Sequence, residues 1–507
     1  MLALSFPKFG HPAFAWVALA PLLLALHRTP VARAFWLGLT TGLVYLTGTL
    51  YWITRVMVVY GGLASPVAVL VNAALIAYLA LFPAVFALVV ARLSLSIGSR
   101  ALLVAPLAWV ATELGRAYLF TGFPWVLLGY SQVTVLPIAQ VASLAGVYGV
   151  SALVASVSAA LAYAGVESAQ GRSGTGPAAT PRGGPWREWI RVYRPLAIAL
   201  VGVAIAGAWG AARVRSGDLV ASGEPFRVGL IQGNVEQADK WNPRRGAQIF
   251  RDYLAMSRRA IAAGADLVVW PESSTPFYYE EDKPGADQIR AMARESRVPF
   301  LLGSDQIERG ELTRYYNSAF LVRPNGSDGG VYRKMHLVPF GEYVPLKRIL
   351  FFAAPLVEAV SDFSAGSSAV LLPVRGHLIS TAICYEVVYP DLVRTAVAGG
   401  SELLTTITND AWFGRTSAPY QHFAQASMRA IENGRYLVRS ANTGISGVVD
   451  PYGRVAAQTP IFEQTVLVAE ARFVRARTIY SRTGDVFAYA STALTLIALL
   501  AVRRRVK

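Results

Sequence analysis

The amino-acid sequence predicts a polytopic α-helical membrane domain joined to an extramembrane domain of layered α/β architecture. The overall composition is that of a membrane protein, since 54% of the 507 residues are apolar, only 15% are charged and the mean hydropathy is +0.41. A soluble protein carries about a quarter charged residues. Residues 226–470 differ from the rest, because short apolar runs that end in polar residues alternate there with helical stretches.

Seven apolar stretches predict the membrane domain. A helix needs about 20 mostly apolar residues to cross the hydrocarbon of a bilayer, and the first and fourth stretches are shorter than that. One such stretch alone is compatible with a buried core helix, but seven together are not. The predicted spans are residues 12–26, 34–54, 66–91, 101–117, 137–165, 195–212 and 486–502. We therefore expect a membrane domain over residues 1–213 with a basic loop near residues 165–194, and a last span with a basic tail over residues 486–507.

The formal net charge of +16 is concentrated in the apolar part of the chain. Residues 214–485 carry 30 Lys and Arg against 28 Asp and Glu, whereas the remainder carries 17 basic residues against three acidic ones. A nucleic-acid-binding protein would place the positive charge on its polar domain, so no nucleic-acid partner is expected. Lys and Arg are retained on the cytoplasmic side of a membrane, and 13 of them fall in one set of alternate loops against four in the other. This distribution predicts a cytoplasmic C-terminus and places residues 214–485, with the N-terminus, outside the cytoplasm.

No metal or other cofactor is expected. Cys384 is the only cysteine, which excludes an intramolecular disulfide and any Cys-based zinc or iron–sulfur site. The five histidines lie far apart, and no pair has the i, i+4 spacing of a helical metal site. The first apolar run lacks a charged n-region and a small-residue cleavage site, so no cleavable signal peptide is expected.

Alternating strands and helices over residues 226–470 indicate an α/β layered fold. Residues 316–323 and 330–337 predict an antiparallel hairpin with its turn at Asn325-Gly326, so we expect a mixed sheet. Chemistry in open α/β sheets collects where strands end. Polar residues follow four of the predicted strands, at Gln232, Glu272, Cys384 and Asn409.

Three residues near strand ends are the candidate catalytic residues. Cys384 ends an apolar run and is followed by two polar residues, a break that a core strand avoids, although a lone Cys in such a run is more often an ordinary buried residue. Glu272 follows a strand-ending proline and lies either at the mouth of the strand or at a helix start. Lys334 is either a solvated edge charge or a specifically required cation, because the chain has only six Lys against 41 Arg. Only a thiolate is an effective nucleophile, so Cys384 requires a nearby base or cation.

In chain order, Glu272, Lys334 and Cys384 resemble the Glu-Lys-Cys triad of the nitrilase superfamily. The surrounding sequences resemble, more narrowly, the membrane-embedded apolipoprotein N-acyltransferase family, and the resemblance covers nearly the whole chain. The matching sequences are Thr121-Gly-Phe-Pro-Trp125, Gly129-Tyr-Ser-Gln132, Gln232-Gly-Asn234, Lys240-Trp241, Trp270-Pro-Glu272-Ser273, His336-Leu-Val-Pro-Phe-Gly-Glu342-Tyr-Val-Pro345, Ile383-Cys-Tyr-Glu386 and Asn409-Asp-Ala-Trp412-Phe-Gly414. The family pattern has eight spans with a helix before the Phe-Pro loop, whereas this sequence begins with Met1-Leu-Ala-Leu-Ser-Phe-Pro. Either the first span is absent or the start of the sequence has been assigned too late, and both alternatives stay open.

The resemblance implies a four-layer α/β/β/α sandwich over residues 214–485, held on the periplasmic side of a bacterial inner membrane. It also implies transfer of an acyl chain from a phospholipid donor to the N-terminal amine of a diacylated apolipoprotein acceptor, through a thioester on the enzyme, as the last step of lipoprotein maturation. We expect Glu272 to act as the general base, Cys384 as the nucleophile and Lys334 as the donor that stabilises the oxyanion.

Further candidates lie next to these sequences. Glu342 and Glu386 either orient Lys334 and tune the charge of the site or form structural ion pairs, and both alternatives stay open. Aromatic side chains are expected either to form a lipid-facing rim or to pack in the core. These aromatic residues are Trp241, Phe340, Tyr343, Trp412 and Phe413.

Two other functions account for part of the sequence. A membrane-tethered nitrilase or amidase that hydrolyses a small C–N substrate would use the same triad, and only the spans and the aromatic residues argue against it. A transporter or receptor would need charged residues within its spans to line a path. Glu113 with Arg116 is the only such cluster in the predicted spans, and that function leaves the triad unexplained.

Overall fold

The structure, a computed structural model, describes residues 1–172, 185–240, 242–343 and 363–505. The chain divides into two compact units. The helical unit comprises Met1–Thr54, Ser65–Ser216 and Thr483–Lys507, and the α/β unit comprises Arg55–Ala64 and Gly217–Arg482. The short segment Arg55–Ala64 therefore belongs to the α/β unit, although its sequence position lies between two apolar stretches.

The helices and strands alternate in the second unit, whereas the first unit is helical. In chain order the helices are α1 (Ala20–Leu26), α2 (Val31–Leu50), α3 (Trp52–Val59), α4 (Ser65–Ile97), α5 (Ala105–Tyr118), α6 (Leu136–Ala139), α7 (Ala142–Arg172), α8 (Pro185–Ser216), α9 (Asp218–Ala221), α10 (Pro243–Ala262), α11 (Lys283–Ser296), α12 (Pro390–Ala398), α13 (Ala418–Asn433), α14 (Ile479–Thr483) and α15 (Val486–Arg505). The strands are β1 (Glu224–Gln232), β2 (Leu267–Val269), β3 (Phe300–Glu308), β4 (Arg314–Val322), β5 (Asp328–Arg333), β6 (Leu372–Val374), β7 (His377–Ile383), β8 (Leu403–Thr408), β9 (Leu437–Ala441), β10 (Gly447–Val449), β11 (Val455–Gln458) and β12 (Thr465–Phe473).

Each of the seven predicted apolar stretches contains helical residues. Within the described residues, four helical segments are long and apolar enough to cross a membrane, and the bent pair α2 and α3 is a fifth candidate. The four segments are Ser65–Tyr118, which combines α4 and α5, and Ala142–Gln170, Trp189–Ala221 and Val486–Arg503. The helix region Pro12–Leu26 is apolar but shorter. These helices make the chain a membrane protein, while the count of seven spans stays a prediction.

The basic loop predicted near residues 165–194 is shorter than its composition indicated. Helix α7 continues to Arg172 and α8 begins at Pro185, and residues 173–184 lie outside the described residues. Proline at the first position of a helix removes no helical hydrogen bond, because the N–H that it lacks would have no intrahelical partner there. The sequence that follows Pro185 contains no further Pro or Gly before residue 195, so nothing in it interrupts the helix.

Helices α2 and α4 pack closely through small residues. A Cβ atom on Gly38 would lie 2.5 Å from Ala87 Cβ and 2.5 Å from the carbonyl oxygen of Pro83, and one on Gly42 would lie 2.8 Å from Ala80 Cα. Glycines four residues apart let two helix backbones approach, which is how helices associate in lipid, where the hydrophobic effect does not favour their contact.

Two six-stranded sheets form the α/β unit, and both are mixed, which confirms the mixed sheet that the sequence predicts. The first has the order β12-β1-β2-β3-β4-β5 and the second the order β11-β10-β9-β8-β7-β6. Strands β1, β2 and β3 are parallel to one another, as are β7, β8 and β9. The predicted hairpin is confirmed, since β4 and β5 pair antiparallel and Ser318 lies opposite Arg333.

The two sheets pack face to face between two layers of helices. Their shared core contains Leu230 and Leu301 from the first sheet and Ile379 and Ile407 from the second. The outer face of the first sheet packs against α10 and α11, and α12 and α13 contact the second sheet. This arrangement confirms the α/β/β/α sandwich. The carboxyl ends of its parallel strands carry the polar residues that the sequence singled out.

Candidate active site

Glu272 lies in the turn that follows β2. This turn passes very close to β3, and Gly303 leaves the necessary room, because a Cβ atom there would lie only 2.7 Å from Glu272 Cα. The buried carboxylate accepts one hydrogen bond from Asn317 Nδ2 on β4 (2.7 Å) and another from the backbone N–H of Asn409 after β8 (2.8 Å). Donors from both sheets therefore hold the carboxylate in one orientation.

Lys334 immediately follows β5 and its side chain is 1% exposed. Its Nζ lies 2.8 Å from Oε1 of Glu342 and 3.4 Å from Oε1 of Glu272. The amide of Asn317 also donates to Glu342, at 3.1 Å. Lys334 is therefore not a solvated edge charge, and its ammonium group joins two buried carboxylates.

The opposite charges in this cluster stabilise each other's ionised forms. Burial by itself would lower the pKa of Lys334, but the carboxylates of Glu342 and Glu272 outweigh it and raise that pKa. Burial by itself would raise the pKa of Glu272, but the nearby ammonium groups of Lys334 and Lys240 outweigh it, and the net pKa is lowered. Both Glu272 and Lys334 are therefore charged at neutral pH.

Cys384 is the first residue after β7 and begins a short 3-10 helix. Its φ of 51° lies in the left-handed region, which residues other than Gly rarely adopt. Burial and then the carboxylate of Glu272 raise the pKa of the Cys384 thiol, and the opposing effects of Lys334 and the Thr408 hydroxyl are smaller. The resting cysteine is therefore a thiol, within the electrostatic range of both Glu272 and Lys334.

Glu386 occupies a different position from Glu342. One carboxylate oxygen accepts hydrogen bonds from the Tyr332 hydroxyl (2.8 Å) and from the two backbone N–H groups that follow Lys334 (2.6 and 3.1 Å). The other oxygen accepts the backbone N–H that precedes Cys384 (2.7 Å). Glu386 thus connects the backbone beside Lys334 to the backbone beside Cys384. Burial raises the pKa of Glu386 to about 7.

Two polar residues of the site, Lys240 and Asn317, were not identified as candidates from the sequence. Lys240 is buried, and its Nζ donates to the backbone carbonyl of Glu272 at 3.0 Å. Lys240 belongs to a sequence that carries the family resemblance, in which only the neighbouring Trp241 is a candidate. Asn409 is a predicted strand end, and the structure adds that its backbone N–H holds Glu272. Asn317 gave no signal at all, because it is one polar residue inside an ordinary strand. The neighbouring candidate Trp241 lies outside the described residues.

The aromatic candidates that the structure describes are only partly buried. Trp412 packs edge-on against Tyr60 with ring centres 5.0 Å apart, and Phe413 is partly exposed. Phe340 is 44% exposed, and its backbone N–H donates to the carbonyl of Tyr343 at 2.8 Å. Their role in a lipid-facing rim stays a prediction.

Replacing Gly303 with Ala is expected to displace Glu272. The new methyl group would overlap the turn at Pro271, at a cost of about 1–3 kcal/mol of stability, and a displacement of about 1 Å would lower the rate of the reaction catalysed at this site about 10²-fold. Unfolding midpoints and turnover rates of the purified variant measure both effects. Gly310→Ala is the matched control, because its Cβ would meet only one atom, at 3.9 Å. Equal turnover in the two variants would contradict the proposed close approach.

Known proteins resemble the chain over its whole length. Residues 1–160 match the family model described as the apolipoprotein N-acyltransferase N-terminal domain, and residues 227–480 match the carbon-nitrogen hydrolase model. A protein of Geobacter metallireducens named apolipoprotein N-acyltransferase is 43% identical over 100% of this chain and 94% of its own length. One of the same name from Methylococcus capsulatus is 34% identical over 96% of this chain and 91% of its own length. A solved amidase from Nesterenkonia sp. is 22% identical over 53% of this chain and 97% of its own, with a TM-score of 0.39, a level of similarity that does not define the chemistry of the site.

Proposed function

Since the chain belongs to the apolipoprotein N-acyltransferase family, we propose that it transfers an acyl chain from a phospholipid to the N-terminal amine of a diacylglyceryl-cysteine lipoprotein. The observation that carries this proposal is the match to acyltransferases over the full length of the chain, including the helical unit. A nitrilase-like domain alone would be equally compatible with a hydrolase. The protein is thus a membrane acyltransferase that acts on lipid and lipoprotein substrates.

In the first half-reaction, the sulfur of Cys384 attacks the ester carbonyl of the phospholipid while Glu272 takes the thiol proton. A C–S bond forms, the ester C–O bond breaks, and the lysophospholipid leaves with the proton that Glu272 returns. Lys334 stabilises the negative oxygen of the tetrahedral intermediate. The raised pKa of Cys384 keeps the proton on sulfur at rest, and the lowered pKa of Glu272 keeps its carboxylate free of a proton. Both support a step in which the proton moves from sulfur to Glu272 as the C–S bond forms.

In the second half-reaction, the amine of the diacylated lipoprotein attacks the thioester. Glu272 accepts a proton from the amine, the C–S bond breaks, and Cys384 regains its proton as the amide product leaves. Splitting the transfer into two steps replaces one difficult reaction with two easier ones. The second step also requires that water be excluded while the thioester waits for the amine.

The neighbouring residues take supporting roles in this proposal. Glu342 holds the ammonium of Lys334 beside Glu272, a role supported by its 2.8 Å contact. Glu386 holds the backbone segments of Lys334 and Cys384 together, supported by its four hydrogen bonds. The partly exposed aromatic residues around the site face the acyl chains of the substrates. The charge distribution between alternate loops supports a periplasmic α/β unit and a cytoplasmic C-terminus.

Incubation of the purified protein with phospholipid and a diacylated lipopeptide tests the proposal. Mass spectrometry is expected to find the lipopeptide heavier by one acyl chain, attached as an amide to its N-terminus. Without the lipopeptide, the reaction should stop after one acyl group per enzyme molecule. Continuous release of free fatty acid, or of ammonia from small amides, would instead favour the membrane-tethered hydrolase.

A further inference from the structure

A second buried polar cluster lies beside Cys384, and the proposed steps do not use it. It consists of Asp410 at the start of a short 3-10 helix after β8, His422 on α13 and Arg439 on β9. All three side chains are 0% exposed. Burying three ionisable groups is costly unless each is paired, so their arrangement requires an explanation.

The hydrogen bonds of this cluster define the direction of the His422 ring. Its Nε2 lies 3.1 Å from the backbone carbonyl oxygen of Cys384. A carbonyl oxygen can only accept a hydrogen bond, so Nε2 carries the proton and donates. Arg439 Nη2 lies 3.0 Å from Nδ1 at the other side of the ring, and also 2.8 Å from Oδ2 of Asp410.

The same contacts favour the neutral form of His422. A guanidinium group only donates hydrogen bonds, so Nδ1 accepts from Arg439. Oδ1 of Asp410 is also 3.0 Å from Nδ1, and a proton between them would create an imidazolium facing the guanidinium. Burial and then the charge of Arg439 lower the pKa of His422, which disfavours that cation. In either form, Nε2 donates to Cys384.

A hydrogen bond to the carbonyl of Cys384 also determines where the next N–H group points. The peptide group between Cys384 and Tyr385 is planar, and its C=O and N–H point in opposite directions. The left-handed φ of 51° at Cys384 is a conformation that the surrounding structure must enforce. Backbone N–H groups beside a nucleophile are typical donors to a tetrahedral oxyanion.

We infer that His422, held by Arg439 and Asp410, is a positioning residue that orients the Cys384–Tyr385 peptide so that the Tyr385 N–H donates to the oxyanion of both half-reactions. This inference rests on the proposed role of Cys384 as the nucleophile. The backbone at Gly444 passes very close to this cluster, because a Cβ atom on Gly444 would lie only 2.7 Å from the side-chain carbon atoms of Asp410. Only a residue without a side chain leaves room for this carboxylate.

Two substitutions of His422 separate this role from a merely structural one. In His422→Gln the amide nitrogen overlays Nε2 and can still donate to the Cys384 carbonyl, whereas in His422→Asn the shorter side chain does not reach it. We expect the Asn variant to lower the single-turnover rate of acyl-enzyme formation about 10²-fold, with an unchanged KM for phospholipid. The Gln variant should retain most of the rate. His377→Asn, at the opposite end of β7, is the matched control and should acylate normally.

Alkylation of Cys384 by iodoacetamide provides the second measurement, because that reaction forms no oxyanion. Its rate should be the same in the wild type and in both variants of His422. An unchanged acylation rate in the Asn variant, an equal loss in both variants, or a parallel loss of alkylation and acylation would each overturn the role of His422. If the Asn variant does not fold, the Gln variant decides, since slow acylation by a folded Gln variant overturns the inference and near-normal acylation supports it.

A wild-type protein that is alkylated but never acylated would overturn the proposed function itself.

Discussion

Replacing Cys384 with Ala is expected to abolish acyl transfer, with a loss on the order of 10⁴-fold or more in turnover. The proposed mechanism has no other group that can carry the acyl chain, because Cys384 is the only cysteine in the sequence. The wild-type protein, incubated with phospholipid and then trapped, should carry one acyl chain on Cys384 that hydroxylamine removes. Mass spectrometry of the digested protein locates this adduct, and the Ala variant should show none.

The Cys384→Ser variant is the companion to this experiment. A hydroxyl is a much poorer nucleophile than a thiol in this setting, so turnover should fall sharply while the volume and polarity of the side chain barely change. Both variants are expected to unfold near the wild-type temperature, which shows that the loss is chemical. Full turnover by the Ser variant would show that Cys384 is not the nucleophile.

Replacing Lys334 with Met is expected to reduce both activity and stability strongly. Loss of an oxyanion donor costs about 10²–10³ in turnover. The substitution also leaves the carboxylates of Glu272 and Glu342 buried without the ammonium group that contacts both of them. Breaking a buried ion pair in this way costs about 3–5 kcal/mol of the free energy of unfolding. Single-turnover acylation and denaturant unfolding in detergent measure the two effects separately.

The stability difference between the wild type and Lys334→Met should depend on pH in a defined direction. In the wild type the pKa of Glu272 is lowered on folding, so its stabilising contribution is present above the unfolded pKa and is lost as the pH falls through the folded pKa. In the variant this pKa is higher, because the ammonium of Lys334, the largest of the effects that oppose burial, has been removed. The folded variant therefore takes up protons more readily, and the stability difference should narrow as the pH falls.

Lys283→Met is the matched control for both measurements, because Lys283 is exposed at the start of α11. It should leave turnover, stability and the pH dependence of stability unchanged. A stability difference for Lys334→Met that stays constant with pH would contradict the assignment of Lys334 as the counter-charge of the two carboxylates.

Much of the candidate site was predictable because its signals are local. Glu272 and Cys384 each follow an apolar run that ends in polar residues, and a predicted hairpin ends near Lys334. The layered α/β class could be expected for the same reason, since strands, helices and the β4–β5 turn each leave a short-range pattern, whereas the four-layer sandwich was implied only by the family resemblance. The residues that support the site leave no such pattern. Asn317 is 45 positions from Glu272, which it contacts, and His422 is 38 positions from Cys384.

The sequence could not distinguish the roles of Glu342 and Glu386, and the structure does. Both are acidic residues beside a recognised sequence, and their local surroundings do not distinguish them. In the structure Glu342 contacts the ammonium of Lys334, whereas Glu386 binds four donors, three of them backbone N–H groups. Glu386 follows β7 and its partners Tyr332, Met335 and His336 lie in or after β5, so its contacts depend on how the two sheets pack, and that packing is not encoded within either short sequence.

The sequence by itself determined the membrane character of the chain, the layered α/β class of the second domain and the three candidate catalytic residues, because composition, hydrophobic periodicity and strand ends are properties of neighbouring residues. Its motifs carried the resemblance to a known family, which implied the α/β/β/α sandwich. Only the tertiary structure decided that Cys384 rests as a thiol, that Lys334 joins two carboxylates, and that Asp410, His422 and Arg439 form one cluster beside the nucleophile. The physical reason is that protonation states and hydrogen-bond partners depend on burial and on distances between residues that are far apart in the chain.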